Sequence, residues 1–239
     1  MKRALVTGAS GGLGSAIAQR LARDGLEVLV HANQGLARAE ALAQQLREAG
    51  GSARAVQFDV CDREATATAL AALIDEAPIQ VLVNNAGVHD DAVLAGMRGE
   101  QWDRVVDVSL NGFFNVTQPL LLPMIRTRWG RIVNITSVSA VLGNRGQTNY
   151  AAAKAALHAA GRSLSLEVAS RGITVNAVAP GIVDTGMADG AFDAATIRQM
   201  VPMQRAGRAD EVAALVSFLV GEEAGYISGQ VIGINGGMG

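Results

Sequence analysis

The chain has 239 residues, 49% hydrophobic and 4% aromatic, with a formal net charge of -2. That is enough chain to bury a large core in one domain spanning 1–239, and the near-neutral balance without a Lys/Arg cluster argues against a nucleic-acid surface. The lone Cys61 excludes an intramolecular disulfide and fits a reducing compartment, and there is no run of about 18 apolar residues to span a membrane.

Taken in order, short runs rich in Val, Ile and Leu alternate with longer Ala-rich stretches. The runs at 4–7, 27–31, 53–58, 81–84, 131–136, 174–178 and 231–234 predict strands. The stretches at 14–23, 36–49, 63–76, 100–127, 149–170 and 209–220 predict helices. The opening Met1-Lys2-Arg3 with the apolar run behind it predicts a strand rather than a signal peptide, because the run breaks at Thr7-Gly8. A cytoplasmic protein is the expectation. Strands apolar throughout are buried on both faces, as in a parallel sheet. Strict alternation then calls for right-handed crossovers with helices on both faces. The prediction is a single-domain, Rossmann-like, doubly wound seven-stranded parallel sheet. From 181 to about 207 no period is clear, and so long a stretch within a compact domain suggests a lid.

The first strand leads into Thr7-Gly8-Ala9-Ser10-Gly11-Gly12-Leu13-Gly14 and then a helix. Glycines permit a tight turn and a close approach of backbone to a pyrophosphate, which the helix N-terminus then faces with free N–H groups. A tight strand-to-helix turn is the plain alternative, and the position at the head of the first helix favours a dinucleotide. At the end of the second strand, an acidic residue would grip the ribose 2′-hydroxyl of NAD. Here that end reads His31-Ala32-Asn33-Gln34, with no carboxylate to repel a 2′-phosphate. NADPH/NADP is therefore expected over NAD, with Ser10, His31 and Asn33 offering hydrogen bonds. No Arg or Lys stands at this strand end or in the glycine turn.

After the third strand, Asp59-Val60 could accept from an adenine amino group, or serve as a helix cap. Asn84-Asn85-Ala86-Gly87 ends the fourth strand, where small residues let a cofactor lie across the switch point. The Asn pair could equally tie strands together. Asp90-Asp91 reads as a solvated loop. His31, His89 and His158 are too scattered for a metal site. Tyr150 and Lys154, four apart in an alanine-rich helix, share one helix face. A phenol titrates near ~10, and a neighbouring ammonium would lower that value and make the pair a general acid/base. By itself Tyr-x-x-x-Lys is common on surface helices.

The glycine turn, Asn84-Asn85-Ala86-Gly87, Ser137 thirteen residues before Tyr150, Tyr150-x-x-x-Lys154 and Pro180-Gly181 occur in one order. Together they resemble the short-chain dehydrogenase/reductase family over the whole chain. The segments 143–150, 168–176, 225–229 and 235–238 are similar to 3-oxoacyl-[acyl-carrier-protein] reductases. Met124-Ile125-Arg126 with Asn144-Arg145-Gly146-Gln147 resembles the reductases of aryl-polyene clusters. The resemblance implies that Tyr150 protonates a substrate carbonyl oxygen, that Ser137 hydrogen-bonds that oxygen, and that Lys154 lowers the phenol pKa and holds the nicotinamide ribose. It implies cofactor contacts from Pro180, Gly181, Val183 and Thr185. It also implies docking of acyl carrier protein on Arg128 and Arg171, and a homo-oligomer, commonly a tetramer. The product would be a 3-hydroxyacyl thioester. A dehydrogenase of small free alcohols and a non-catalytic nucleotide-binding subunit are the alternatives.

Two positions depart from the family pattern. Ser109 stands where most members have the Asn that anchors a proton-relay water, and Asn111, two residues on, does not share its helix face. Gly11 stands where carrier-protein reductases usually place an Arg for NADPH. Met187, Met200 and Met203 in the expected lid could adapt to an acyl chain.

Overall fold

The computed structural model describes residues 1–185 and 193–239, so Met187 lies outside the described residues. Seven parallel strands form one sheet: β1 (Arg3–Val6), β2 (Glu27–Ala32), β3 (Ser52–Gln57), β4 (Val81–Asn84), β5 (Gly130–Ile135), β6 (Ile173–Pro180) and β9 (Val231–Ile234), in the order β3-β2-β1-β4-β5-β6-β9. A second, two-stranded sheet pairs β7 (Val183–Asp184) with β8 (Gly207–Arg208).

Side chains alternate across the pleat. Ala4 and Val6 of β1, with Val28 and Val30 of β2, pack on α1 (Gly12–Arg23), α2 (Leu36–Glu48) and α9 (Ala209–Val220). Leu5, Leu29, Leu82 and Ile132 point to the other face, toward α3 (Arg63–Glu76), α5 (Gly112–Thr127) and α7 (Thr148–Val168). The fold is the doubly wound, Rossmann-like sheet that the alternation predicts. Its switch point falls between β1 and β4, where the chain returns from β3 and begins winding the other way. Clefts form there, beyond the carboxyl ends of the strands.

Three elements depart from expectation. The helix predicted at 100–127 is two helices, α4 (Gly99–Val106) and α5, joined by a π-helical turn at Asp107–Asn111. Such turns insert a residue without ending a helix, so hydrophobic period does not reveal them. The stretch from 181 to 207 holds, among its described residues, β7 and a helix α8 (Ala194–Met200) whose first turn is capped by Asp193 accepting from Thr196 N–H at 2.7 Å. A four-residue helix, α6 (Ser139–Leu142), follows β5. No described helix is long and apolar enough to cross a membrane, and no group of metal-ligating side chains occurs among the described residues.

Candidate active site

The glycine turn runs from the end of β1 into α1. Gly8 sits at φ +64, a conformation that favours glycine. A Cβ on Gly14 would stand 2.4 Å from the Gly8 carbonyl oxygen and 2.6 Å from Asn85 Nδ2. The turn is thus pressed against the end of β4. Asn85 pins it there, donating from Nδ2 to Thr7 O at 2.8 Å and from its N–H to Thr7 Oγ1 at 2.9 Å. Asn84 donates to Asn134 Oδ1 at 2.9 Å and to Thr117 Oγ1 at 3.1 Å, tying β4 to β5 and α5. The Asn pair is therefore a structural tie, and Asn85 also lines the cleft. Gly11, the N-cap of α1, makes no side-chain capping bond. The first-turn amides of α1 face outward with the positive end of the helix dipole, which suits an anion such as a pyrophosphate. Ser10, Gly11, Gly12 and Leu13 are half-buried along this lip. On these grounds the turn fits a dinucleotide.

The reactive side chains meet beside it. Ser137 follows β5, and its Oγ accepts from Ser139 N–H at 3.1 Å. Tyr150 and Lys154 lie one turn apart on α7, with Lys154 Nζ 5.7 Å from the Tyr150 ring centroid. Lys154 is 2% exposed and donates to Ile135 O at 2.9 Å. A Cβ on Gly87 would come within 3.0 Å of its Nζ, so the glycine makes room for the ammonium. Leu13, Asn85, Ala86's neighbour Gly87, Ser137, Tyr150, Lys154, Pro180, Gly181 and Val183 line one cleft of about 240 Å³. Thr185, half-buried, follows β7 just beyond it.

Burial sets the electrostatics. It pushes the Lys154 ammonium down to about 8. It also raises the Tyr150 phenol above its ordinary value; a hydrogen bond with Ser137 offsets part of that rise, and the Asp91 carboxylate adds to it. That net direction is opposite to the one expected from Lys154 alone. The ammonium is directed at a backbone carbonyl, and loss of water around the ring dominates. Burial thus favours the protonated phenol. Asp90 and Asp91 are not merely solvated. Asp90 accepts from Gln101 Nε2 at 2.6 Å and Asp91 from Gln147 Nε2 at 2.9 Å, bracing the loop across the cleft mouth to α4 and the start of α7.

Other expected site residues lie elsewhere. His31 is 1% exposed. Its Nδ1 accepts from Gly8 N–H at 3.1 Å and its Nε2 meets Phe58 O at 2.9 Å, so Nε2 carries the proton. Burial pushes its pKa down to about 4. With both nitrogens engaged and no charge, His31 braces the turn and has no hydrogen bond left for a 2′-phosphate. Asn33, in contrast, is exposed, with a side chain that has no partner among the described residues. The half-buried Asp59 accepts from Cys61 N–H at 2.9 Å, and the helix cap of α3 is Asp62. Val60 is buried against Gly112, with its carbonyl accepting from Asn115. Ser109 sits in the π-helical turn, 3% exposed, with no partner for its hydroxyl. It borders a separate void of about 10 Å³ lined also by Thr7, Asn84 and Val60, outside the cleft of Tyr150 and Lys154. Ser109 thus makes no direct contact with that cleft, and any part it takes in a proton relay runs through a water in this void. Arg128 donates to Ser170 O, next in the chain to Arg171. They precede β5 and β6, at the end of the sheet opposite the cleft.

Sequence reasoning also passed over a cation. Arg38, in the first turn of α2, folds back so that its guanidinium lies over Gly35 beside Ser10. The signal was a glycine three residues before the first basic residue after β2, visible in sequence but not its direction.

Residues 2–196 match the family model described as short chain dehydrogenase. The chain is 47% identical over 236 residues, 98% of each chain, to the 3-oxoacyl-[acyl-carrier-protein] reductase FabG of Aggregatibacter actinomycetemcomitans. It is 43% identical over 240 residues to Nodulation protein G of Azospirillum brasilense, covering 99% of this chain and 98% of that one. It is 42% identical over 237 residues to the 3-oxoacyl-[acyl-carrier-protein] reductase of Synechocystis sp., covering 98% and 96%.

Proposed function

The chain belongs to the short-chain dehydrogenase family and is an oxidoreductase, and from that premise we propose that it reduces a 3-oxoacyl thioester on acyl carrier protein to the 3-hydroxyacyl form with NADPH. The observation that carries this reading is the meeting of Ser137, Tyr150 and Lys154 in one cleft beside an uncapped, glycine-lined helix terminus. The names of relatives alike over nearly the full chain supply the substrate class.

A bound reduced nicotinamide supplies the hydride that the carbonyl carbon receives. The chain's own residues manage the proton and the charge. Tyr150, a phenol whose protonated form burial favours, gives its O–H proton to the carbonyl oxygen. Ser137 hydrogen-bonds the same oxygen and the charge developing on it. Lys154, held by Ile135 O against Gly87, presents a cation next to the phenolate left behind.

The exposed apolar residues Phe114 and Leu122 on α5 and Leu166 on α7 support a homo-oligomer, by family likeness a tetramer. Arg128 and Arg171 are the candidate docking residues for the acidic carrier. They stand at the start of a six-residue strand whose far end opens on the cleft, about 20 Å away. A carrier docked there would feed the cleft of a neighbouring copy, which ties this part of the reading to the oligomer. Rates on acetoacetyl-carrier protein against a panel of free ketones test the substrate class. A carrier-linked substrate preferred by a wide margin is expected; equal or better rates on free ketones would assign a small-alcohol dehydrogenase instead.

A further inference from the structure

We infer that Arg38, reaching back from α2, supplies the cationic half of a 2′-phosphate seat together with Ser10 and Asn33. This rests on the NADPH reading above and names the residue that decides it. The seat is needed because the usual sources of positive charge are missing. Gly11 brings no cation to the glycine turn, and His31 is buried, neutral and fully hydrogen-bonded. No carboxylate occurs from Asn33 through Arg38 either, so nothing in that segment repels a phosphate.

Gly35 fixes the geometry. The point where its Cβ would stand lies 2.7 Å from Arg38 Nη2 and 2.9 Å from Ser10 Oγ. The guanidinium and the hydroxyl therefore converge on one spot on the lip of the cleft, between the glycine turn and the end of β2. Neither has a hydrogen bond or ion pair among the described residues, nor does the side chain of Asn33. Arg38 is left open where a second phosphate on the adenosine ribose would arrive. A guanidinium presents a fork of donors that suits a phosphate, and the hydroxyl and amide complete the set with neutral hydrogen bonds. Glycine at 35 lets the guanidinium lie this close to the Ser10 hydroxyl, since a Cβ there would push it away.

Calorimetric titration tests this without any turnover, using NADPH, NADH, adenosine 2′,5′-bisphosphate and 5′-AMP as probes. Wild type is expected to bind each 2′-phosphorylated probe more tightly than its counterpart. Arg38→Ala should lose about 10- to 100-fold in affinity for NADPH and the bisphosphate, with NADH and 5′-AMP changed less than about twofold. Gly35→Ala should show a smaller loss of the same selectivity, because its methyl group displaces the guanidinium from beside Ser10 while leaving the charge in place. Thermal melting checks that both variants are folded. Parallel losses for phosphorylated and unphosphorylated probes, or none for either, with wild-type preference intact, would overturn the role of Arg38 alone. A wild type indifferent to the 2′-phosphate would remove the NADPH reading and this inference together.

Discussion

At the rim where the strands begin, buried charge is matched by a partner. Arg3 donates to Leu73 O at 2.7 Å and to Ala77 O at 2.5 Å, and pairs with Glu76 and Glu27. Arg131 donates to the carbonyls of Gly130, Gly172 and Gly221. Trp129 lies between Lys2 and Arg131, at 3.6 and 4.3 Å from its ring centroid, and donates to Glu222. At the rim where the strands end, polar groups are left without a protein partner: the amides of α1, the half-buried hydroxyl of Ser10 and the exposed guanidinium of Arg38. Buried polar groups without partners cost free energy. The buried guanidiniums of Arg3 and Arg131 avoid that cost through carbonyls and carboxylates, whereas the more exposed groups of the opposite rim are free to meet a ligand.

The contrast can be broken from either side. The largest effect is expected at the open rim. Tyr150→Phe keeps the ring and removes the proton, so turnover should fall about 10²- to 10⁴-fold with cofactor affinity and melting temperature nearly unchanged; retention of full rate would end the catalytic assignment. At the closed rim, Arg131→Met should do the reverse. Removing three donated hydrogen bonds to carbonyls, one of which keeps a backbone partner in Gly130 N–H, should lower stability by about 2–4 kcal/mol in chemical denaturation, while the rate per folded molecule stays the same. A fall in turnover per folded molecule would show that the rims are coupled.

His31 sharpens the comparison, since it is a closed, satisfied group that supports the open rim. Its folded pKa of about 4 lies below the ordinary 6.5, so the folded state binds its proton less readily than the unfolded chain. The resulting stability is complete above about pH 6.5 and is lost as pH falls toward 4, a change of about 3 kcal/mol. Urea midpoints of wild type and of His31→Gln between pH 7 and pH 4 would read it, and equal slopes in the two proteins would refute it. The smallest effect is expected for Ser109→Ala. Removing an unpartnered buried hydroxyl should change stability by at most about 1 kcal/mol, toward greater stability, and leave turnover within about twofold. A tenfold loss of turnover would instead assign a proton-relay role to that position.

Much of this was legible in the residues. The seven strands follow from apolar runs that can only be buried on both faces, and their bounds shift by no more than two residues between prediction and structure. The meeting of Ser137, Tyr150 and Lys154 was readable because helical spacing and motif order constrain it. The π-helical turn was not, because an inserted residue leaves the apolar period on both sides intact. Nor was the role of His31, since a histidine at a strand end is equally suited to solvent, to phosphate or to a buried brace.

Sequence alone determined the alternation, the sheet and the chemistry available at its carboxyl rim, because backbone period and side-chain type are local properties. Only tertiary structure decided which charges were spent and which stayed open. Burial raised the phenol that a neighbouring ammonium was expected to lower, and it silenced His31. Packing put Ser109 in a void of its own and turned Arg38 back over Gly35. Each of those outcomes depends on water excluded and partners supplied by segments distant along the chain, which no local pattern encodes.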